Sequence, residues 1–158
     1  MEKQESVITE QKGLYIPRYF TKDGLSPFEM CRYEKRSSII KNPDGSMVFQ
    51  MEDVEVPASW SQVATDILAQ KYLRKAGVPL RNAKGELLLD ENGKIITGSE
   101  TSIKQVAHRI AGCWRHWGER YGYFASPLAA TIFYEEMVFM LIKQYAAPNS
   151  PQWITTGL

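Results

Sequence analysis

Along this chain the spacing of hydrophobic positions switches between two periods, and each switch marks an element. SSIIKNPDGSMVFQMEDVEVP, from Ser37 to Pro57, alternates imperfectly by twos on either side of Asn42-Pro43-Asp44-Gly45. Proline presets φ and glycine admits positive φ, so the stretch reads as a hairpin. SWSQVATDILAQKYLRKAG then changes to helical spacing, with Trp60, Val63, Ala64, Ile67, Leu68 and Leu73 on one stripe. Ser59 or Ser61 can cap this helix, and Gly77 followed by Pro79 ends it. RNAKGELLLDENGKIITG, with Asn92-Gly93 between two apolar runs, suggests a second, short surface hairpin.

Helical spacing returns in SETSIKQVAHRIAGCWRHWGERYG. Ser99 or Ser102 is the candidate cap, and Ile103, Val106, Ile110, Cys113 or Trp114, Trp117 and Tyr121 form the stripe up to Gly122. A third helix, SPLAATIFYEEMVFMLIKQYAA, starts on the Ser126-Pro127 pairing and carries a wide apolar face. The pattern therefore predicts a mainly α domain of three helices with one or two short β-hairpins. Residues 1–13 are polar and without period, which reads as a flexible N-terminus. Residues 14–147 read as the helical domain and residues 148–158 as a separate closing loop.

Composition narrows the function classes. Apolar residues make up 44% of the 158 positions and charged residues 23%, as in an ordinary globular domain. The formal net charge of +1 gives no footprint for nucleic acid or an anionic membrane. No apolar run approaches the ~18 residues of a membrane span. The polar opening MEKQESVITEQKG has no signal-peptide core, so a cytoplasmic location is expected. Two cysteines, Cys31 and Cys113, read as free thiols rather than a disulfide framework.

Chemistry-bearing residues are sparse. Cys113 and His116 share a helical face, but zinc needs about four ligands and His108 is the remaining histidine, so no metal site is expected. Lys104, Arg109, Arg115 and Arg120 interleave with aromatics on the second helix, and the near-neutral charge makes them a solvated face rather than a nucleic-acid surface. Glu135-Glu136 reads as solvent-facing. The last stretch, APNSPQWITTGL, is written like a ligand-binding loop. Asn149 and Ser150 offer short hydrogen-bonding side chains, and Ser150 could hold a phosphate or a sugar hydroxyl together with backbone N–H groups.

DGLSPFEMCRYEKRSS, VPASWSQVATDILAQKYLRKAGVP, ETSIKQVAHRIAGCWRHWGERYGYFAS, and APNSPQW before TGL together resemble the N-terminal region of the adenosylcobalamin-dependent (class II) ribonucleotide reductases. The resemblance runs over about residues 14–158, apart from the segment near 81–98. It implies reduction of ribonucleotides to deoxyribonucleotides for DNA synthesis by a radical mechanism. A radical made by homolysis of the cobalt–carbon bond passes to one cysteine, and a cysteine pair supplies the electrons. It implies a helical region, residues 14–147, preceding a ten-stranded α/β barrel whose start, the substrate loop, is the truncated stretch 148–158, with Ser150, and secondarily Asn149, contacting the nucleotide substrate.

The same resemblance makes the chain look like the beginning of an enzyme. With two thiols that do not match the family's catalytic cysteines, it carries no catalytic residue and is expected to be inactive alone. The adenosylcobalamin site is expected outside it. The implied partners are the ribonucleotide, the remaining barrel segment and a second copy in a homodimer, with no nucleic acid or membrane. Ile154-Thr155 stands where the family usually reads Phe-Asn. A β-branched hydroxyl there replaces an amide, so the expected substrate contacts stop short of the loop's end. Two rival readings are a stand-alone helical interaction module that binds a reductase partner chain, and a decayed gene product.

Overall fold

The computed structural model describes residues 12–82 and 84–157. Most of the predicted flexible stretch 1–13 therefore lies outside the described residues. The element order is β1 (Tyr33–Lys41), β2 (Met47–Pro57), α1 (Gln62–Ile67), β3 (Val78–Pro79), β4 (Thr97–Gly98), α2 (Ile103–Arg120), α3 (Pro127–Ile142) and α4 (Ser150–Thr155). A short 3-10 turn, Pro27–Met30, precedes β1, and a π turn, Leu68–Tyr72, follows α1.

The architecture is α+β rather than mainly α, with 38% helix, 21% strand and two small antiparallel sheets. Two physical causes account for the difference. The first is the length of the β1–β2 hairpin, which begins at Tyr33 and pairs Tyr33 with Pro57 at its base. Its register shifts at Arg36/Ser38 and Ile40/Lys41, and these irregularities explain the imperfect alternation in the sequence. The second is the early end of the first helix. α1 holds six residues before the backbone widens into the π turn. That shift rotates the stripe: Val63 is 67% exposed, whereas Leu68, Ala69 and Leu73 are buried.

The segment between α1 and α2 folds as a small β-arm. Leu80 N–H donates to Ile96 O and Leu88 N–H to Leu80 O, both at 2.9 Å. Turns at Asn82–Glu86 and Asp90–Lys94 close it, and nearly all of its side chains are exposed.

α2 and α3 pack against each other, and the hairpin base and the α1 turn close the core over them. The core holds Val54, Val56, Trp60, Leu68, Ile103, Val106, Ile110, Val138, Leu141, Ile142 and Trp153. α3 is apolar on nearly every side, as a helix must be when it is covered on more than one face. Trp60 Nε1–H donates to Ile142 O at 2.8 Å and ties the start of α1 to the end of α3.

α2 opens with a full capping box. The Ser102 hydroxyl accepts from the N-terminal turn while Gln105 Oε1 accepts from Ser102 N–H at 3.0 Å. Ser102 also donates to Glu55 Oε1 at 2.6 Å, joining α2 to the hairpin. Ser102→Ala removes both roles and is expected to cost about 1–2 kcal/mol in a urea unfolding curve, with an unchanged m-value.

Glu135 and Glu136 are not solvent-facing. Glu136 is 7% exposed and accepts backbone N–H groups from Tyr19, Phe20 and Thr21 and the Thr21 hydroxyl. Glu135 pairs with Arg18. The extended strap 12–26 is thereby pinned across α3.

Candidate functional site

The closing segment is short-helical rather than a loop throughout. Asn149 is the N-cap of α4 and its side chain accepts from Gln152 N–H at 3.4 Å. Pro151 sits in the first turn, where a missing N–H costs nothing. Thr155 donates its hydroxyl to Pro151 O at 2.7 Å, and Ile154 faces solvent. Trp153 is buried, and its ring stacks on Tyr72 with centroids 5.5 Å apart and planes 18° off parallel. The exposed Ser150 hydroxyl lies 2.9 Å from the Tyr72 hydroxyl. An apolar groove of about 180 Å³ runs beside this pair, between Trp60, Ile67, Tyr72 and Trp153.

What holds the segment is Arg109, which the helical pattern assigned to a solvated face. Its side chain is 6% exposed and faces the 3%-exposed carboxylate of Glu100. Arg109 Nε–H donates to Glu100 Oε1 at 2.9 Å and NH2 donates to Oε2 at 3.2 Å. NH1 donates to the carbonyls of Trp153 at 3.1 Å and Thr156 at 2.9 Å, and NH2 also reaches Tyr72 O at 3.2 Å. The planar fork of the guanidinium thus joins α2, the π turn and the closing segment in one geometry. Glu100 completes its own set by accepting from Arg74 N–H at 3.0 Å.

Gly157 lets the chain lie flat on α2. Its φ is +75°, and a Cβ there would stand 2.7 Å from both Arg109 Cγ and Arg109 O. The residues that fix the segment were therefore missed in the sequence, while the candidates Asn149 and Ser150 stand together at its first turn. Asn149's side chain is engaged as a cap; Ser150 is the more available of the two.

Cys113 and His116 border a larger open concavity of about 560 Å³ beside α2, together with His108, Arg115, Tyr134 and Gly157. His108 Nδ1 pairs with the Tyr134 hydroxyl at 2.7 Å. Among the described residues no cluster of three or more His, Cys, Asp or Glu is placed to hold a metal ion. No helix there is long and apolar enough to cross a membrane.

Residues 34–144 match the model of the class II vitamin B12-dependent ribonucleotide reductase N-terminal family. The chain is similar to the vitamin B12-dependent ribonucleotide reductase of Bradyrhizobium diazoefficiens, with 45% identity over 90% of the chain and 13% of that protein. It is 46% identical to that of Agrobacterium fabrum, over 90% of the chain and 12% of that protein. For that of Streptomyces clavuligerus the identity is 37% over 92% of the chain and 14% of that protein. The chain spans about 13% of the length of the relatives it matches. The matched region contains all of the hairpin but Tyr33, the Arg109–Glu100 pair and both long helices. This chain belongs to the class II vitamin B12-dependent ribonucleotide reductase family.

Proposed function

We propose that these residues form the N-terminal part of a ribonucleotide reductase that uses the adenosyl form of the cofactor, and that the segment 149–157 begins the substrate site. Family membership supports the reaction class: conversion of ribonucleotides to deoxyribonucleotides, an oxidoreductase chemistry that serves DNA synthesis. The observation that carries the site is the exposed Ser150 hydroxyl on a backbone fixed by buried Arg109. A hydroxyl held in place donates to or accepts from a nucleotide without first losing loop entropy. A nucleotide at this site would compete with the Tyr72 hydroxyl, 2.9 Å away, for Ser150.

The open concavity of about 560 Å³ beside α2 is of a size that takes a drug-sized ligand rather than a corrinoid. We therefore place the cofactor outside residues 12–157 and assign none of its chemistry to them. The barrel segment that the resemblance implies is the natural partner. An apolar groove of about 280 Å³ bounded by Leu14, Trp114, Trp117, Tyr123 and Phe133 fits a piece that works against further protein, and Trp117 is 48% exposed there.

Ser150→Ala in the reductase that carries these residues is the test. Loss of one hydrogen bond to substrate is expected to raise KM for the ribonucleotide about tenfold with kcat little changed. An unchanged KM removes Ser150 from the substrate site. The 158-residue chain alone is expected to reduce no ribonucleotide, and any turnover by it, measured as deoxyribonucleotide formed, contradicts the assignment.

A further inference from the structure

Arg74 leads out of the π turn toward the β-arm, and its side chain presents a problem that the fold leaves open. Its Nε and NH2 atoms are buried and have no hydrogen-bond partner among the described residues. Charged groups taken out of water are normally paired, because an unpaired one loses its hydration without compensation. The nearest carboxylate is already engaged. Both Glu100 oxygens accept from the Arg109 guanidinium, and Oε2 also takes the Arg74 backbone N–H. Burial, and then the charge of Arg109, work against the protonated Arg74 side chain, with Glu100 opposing them.

Arg74 is also one of the residues lining a concavity of about 340 Å³ between the β-arm, α2 and Gly157. Arg81, Gln105, His108 and Arg109 share the wall, and Glu100 is the acid among them. Three arginines against one glutamate leave the wall positive. Gln105 spends its Oε1 on the α2 capping box, so its amide N–H₂ is what it can still offer a ligand. The Arg109 donors are engaged, so Arg74, Arg81 and the Gln105 amide are the donors this wall can offer a ligand.

We propose that this concavity is a binding site for a phosphoryl anion, with Arg74 as its principal ligand. Forked guanidinium donors suit a tetrahedral oxyanion better than a single carboxylate, and a pocket of this size takes a phosphate with part of the group that bears it. Neither Ser150 nor Tyr72 lines this site, and it does not depend on the substrate reading of Ser150. The phosphoryl group comes from a nucleotide or from free inorganic phosphates.

Titration calorimetry on the 158-residue chain with inorganic pyrophosphate, and separately with ATP, tests this. Binding is expected for at least one probe, weakening as salt rises. Arg74→Met is expected to weaken it by about tenfold or more, because a charge-assisted pair is lost. Lys41→Gln, at the exposed end of β1, should leave it unchanged. If Arg74→Met fails to fold by circular dichroism, Arg81→Gln on the exposed rim replaces it, with a smaller loss expected. Equal affinity for the two probes identifies the phosphate group alone as the ligand, and tighter ATP binding identifies a nucleotide. No binding of either probe, or affinity unchanged in a folded arginine variant, overturns the assignment and leaves Arg74 to a carboxylate of another protein segment.

Discussion

Arg109→Met is expected to destabilise the domain by about 3–5 kcal/mol, since it strands a buried carboxylate that has lost its counter-charge. Glu100 would keep the Arg74 N–H and lose both guanidinium bonds. The carbonyls of Trp153, Thr156 and Tyr72 would lose their donor at the same time. Urea unfolding followed by tryptophan fluorescence reads the loss, and the buried Trp153 reports locally on the closing segment. The double variant Glu100→Met/Arg109→Met should recover part of the stability, because two apolar side chains of similar volume leave no unpaired charge. It should not recover substrate affinity in the reductase, because the backbone of 153–156 stays untied. Recovery of both would mean that Arg109 serves the core alone.

Glu136→Ala is expected to release the strap 12–26 and to cost about 1–3 kcal/mol, because the backbone donors of Tyr19, Phe20 and Thr21 lose their acceptor. Amide hydrogen exchange at these residues should rise while exchange in the centres of α2 and α3 stays slow. The effect carries a pH signature. Burial pushes the Glu136 carboxyl up, but the Thr21 hydroxyl and the strap N–H groups outweigh it and hold the group below its ordinary range. A carboxylate with a depressed folded value stabilises above its unfolded pKa, about 4.3, and loses that contribution as the pH falls through the folded value. The stability difference between wild type and Glu136→Ala should therefore be flat near neutrality and shrink only on the acid side of about pH 4.3. A difference that shrinks between pH 5 and 8 would contradict this assignment.

These two carboxylate anchors show where sequence reasoning stops. Caps were legible because they act within a turn: Ser126 stands where short-range rules put it, and Ser61 and Ser102 each prove to be one of the two serines the sequence left open. The Asn42–Gly45 turn was legible for the same reason, with Gly45 at φ +84°. Arg109 and Glu136 were placed on wet faces because isolated charges usually are. Their partners lie far along the chain, Glu136 and Thr21 being separated by 115 positions and Arg109 and Thr156 by 47. A local signal did exist. Arg109 falls three positions after Val106, and Glu136 lies between Ile132 and Phe139 at helical spacing, so both sit on stripes whose other members are buried. A charged residue on such a stripe demands a partner, and looking for one would have pointed to both.

The π turn was not legible, because nothing in LAQKY departs from helical composition; the widening satisfies tertiary packing of Leu68 and Ala69 and delivers Tyr72 to Trp153. Of the candidate site, the Pro-bounded run singled out Ser150 as a ligand contact, and the family resemblance added the nucleotide and Asn149. Tyr72, 78 positions from Ser150, could be found only once the chain was folded.

The central claim is that a segment clamped by Arg109 presents Ser150 to the nucleotide. The structure of the reductase containing these residues, with a ribonucleotide bound, tests it most directly. The account predicts Ser150 Oγ within hydrogen-bonding distance of the nucleotide, about 2.5–3.2 Å, with the Arg109 bonds to the Trp153 and Thr156 carbonyls intact. A ribonucleotide bound elsewhere, with Ser150 still paired to Tyr72 and out of reach, would contradict it.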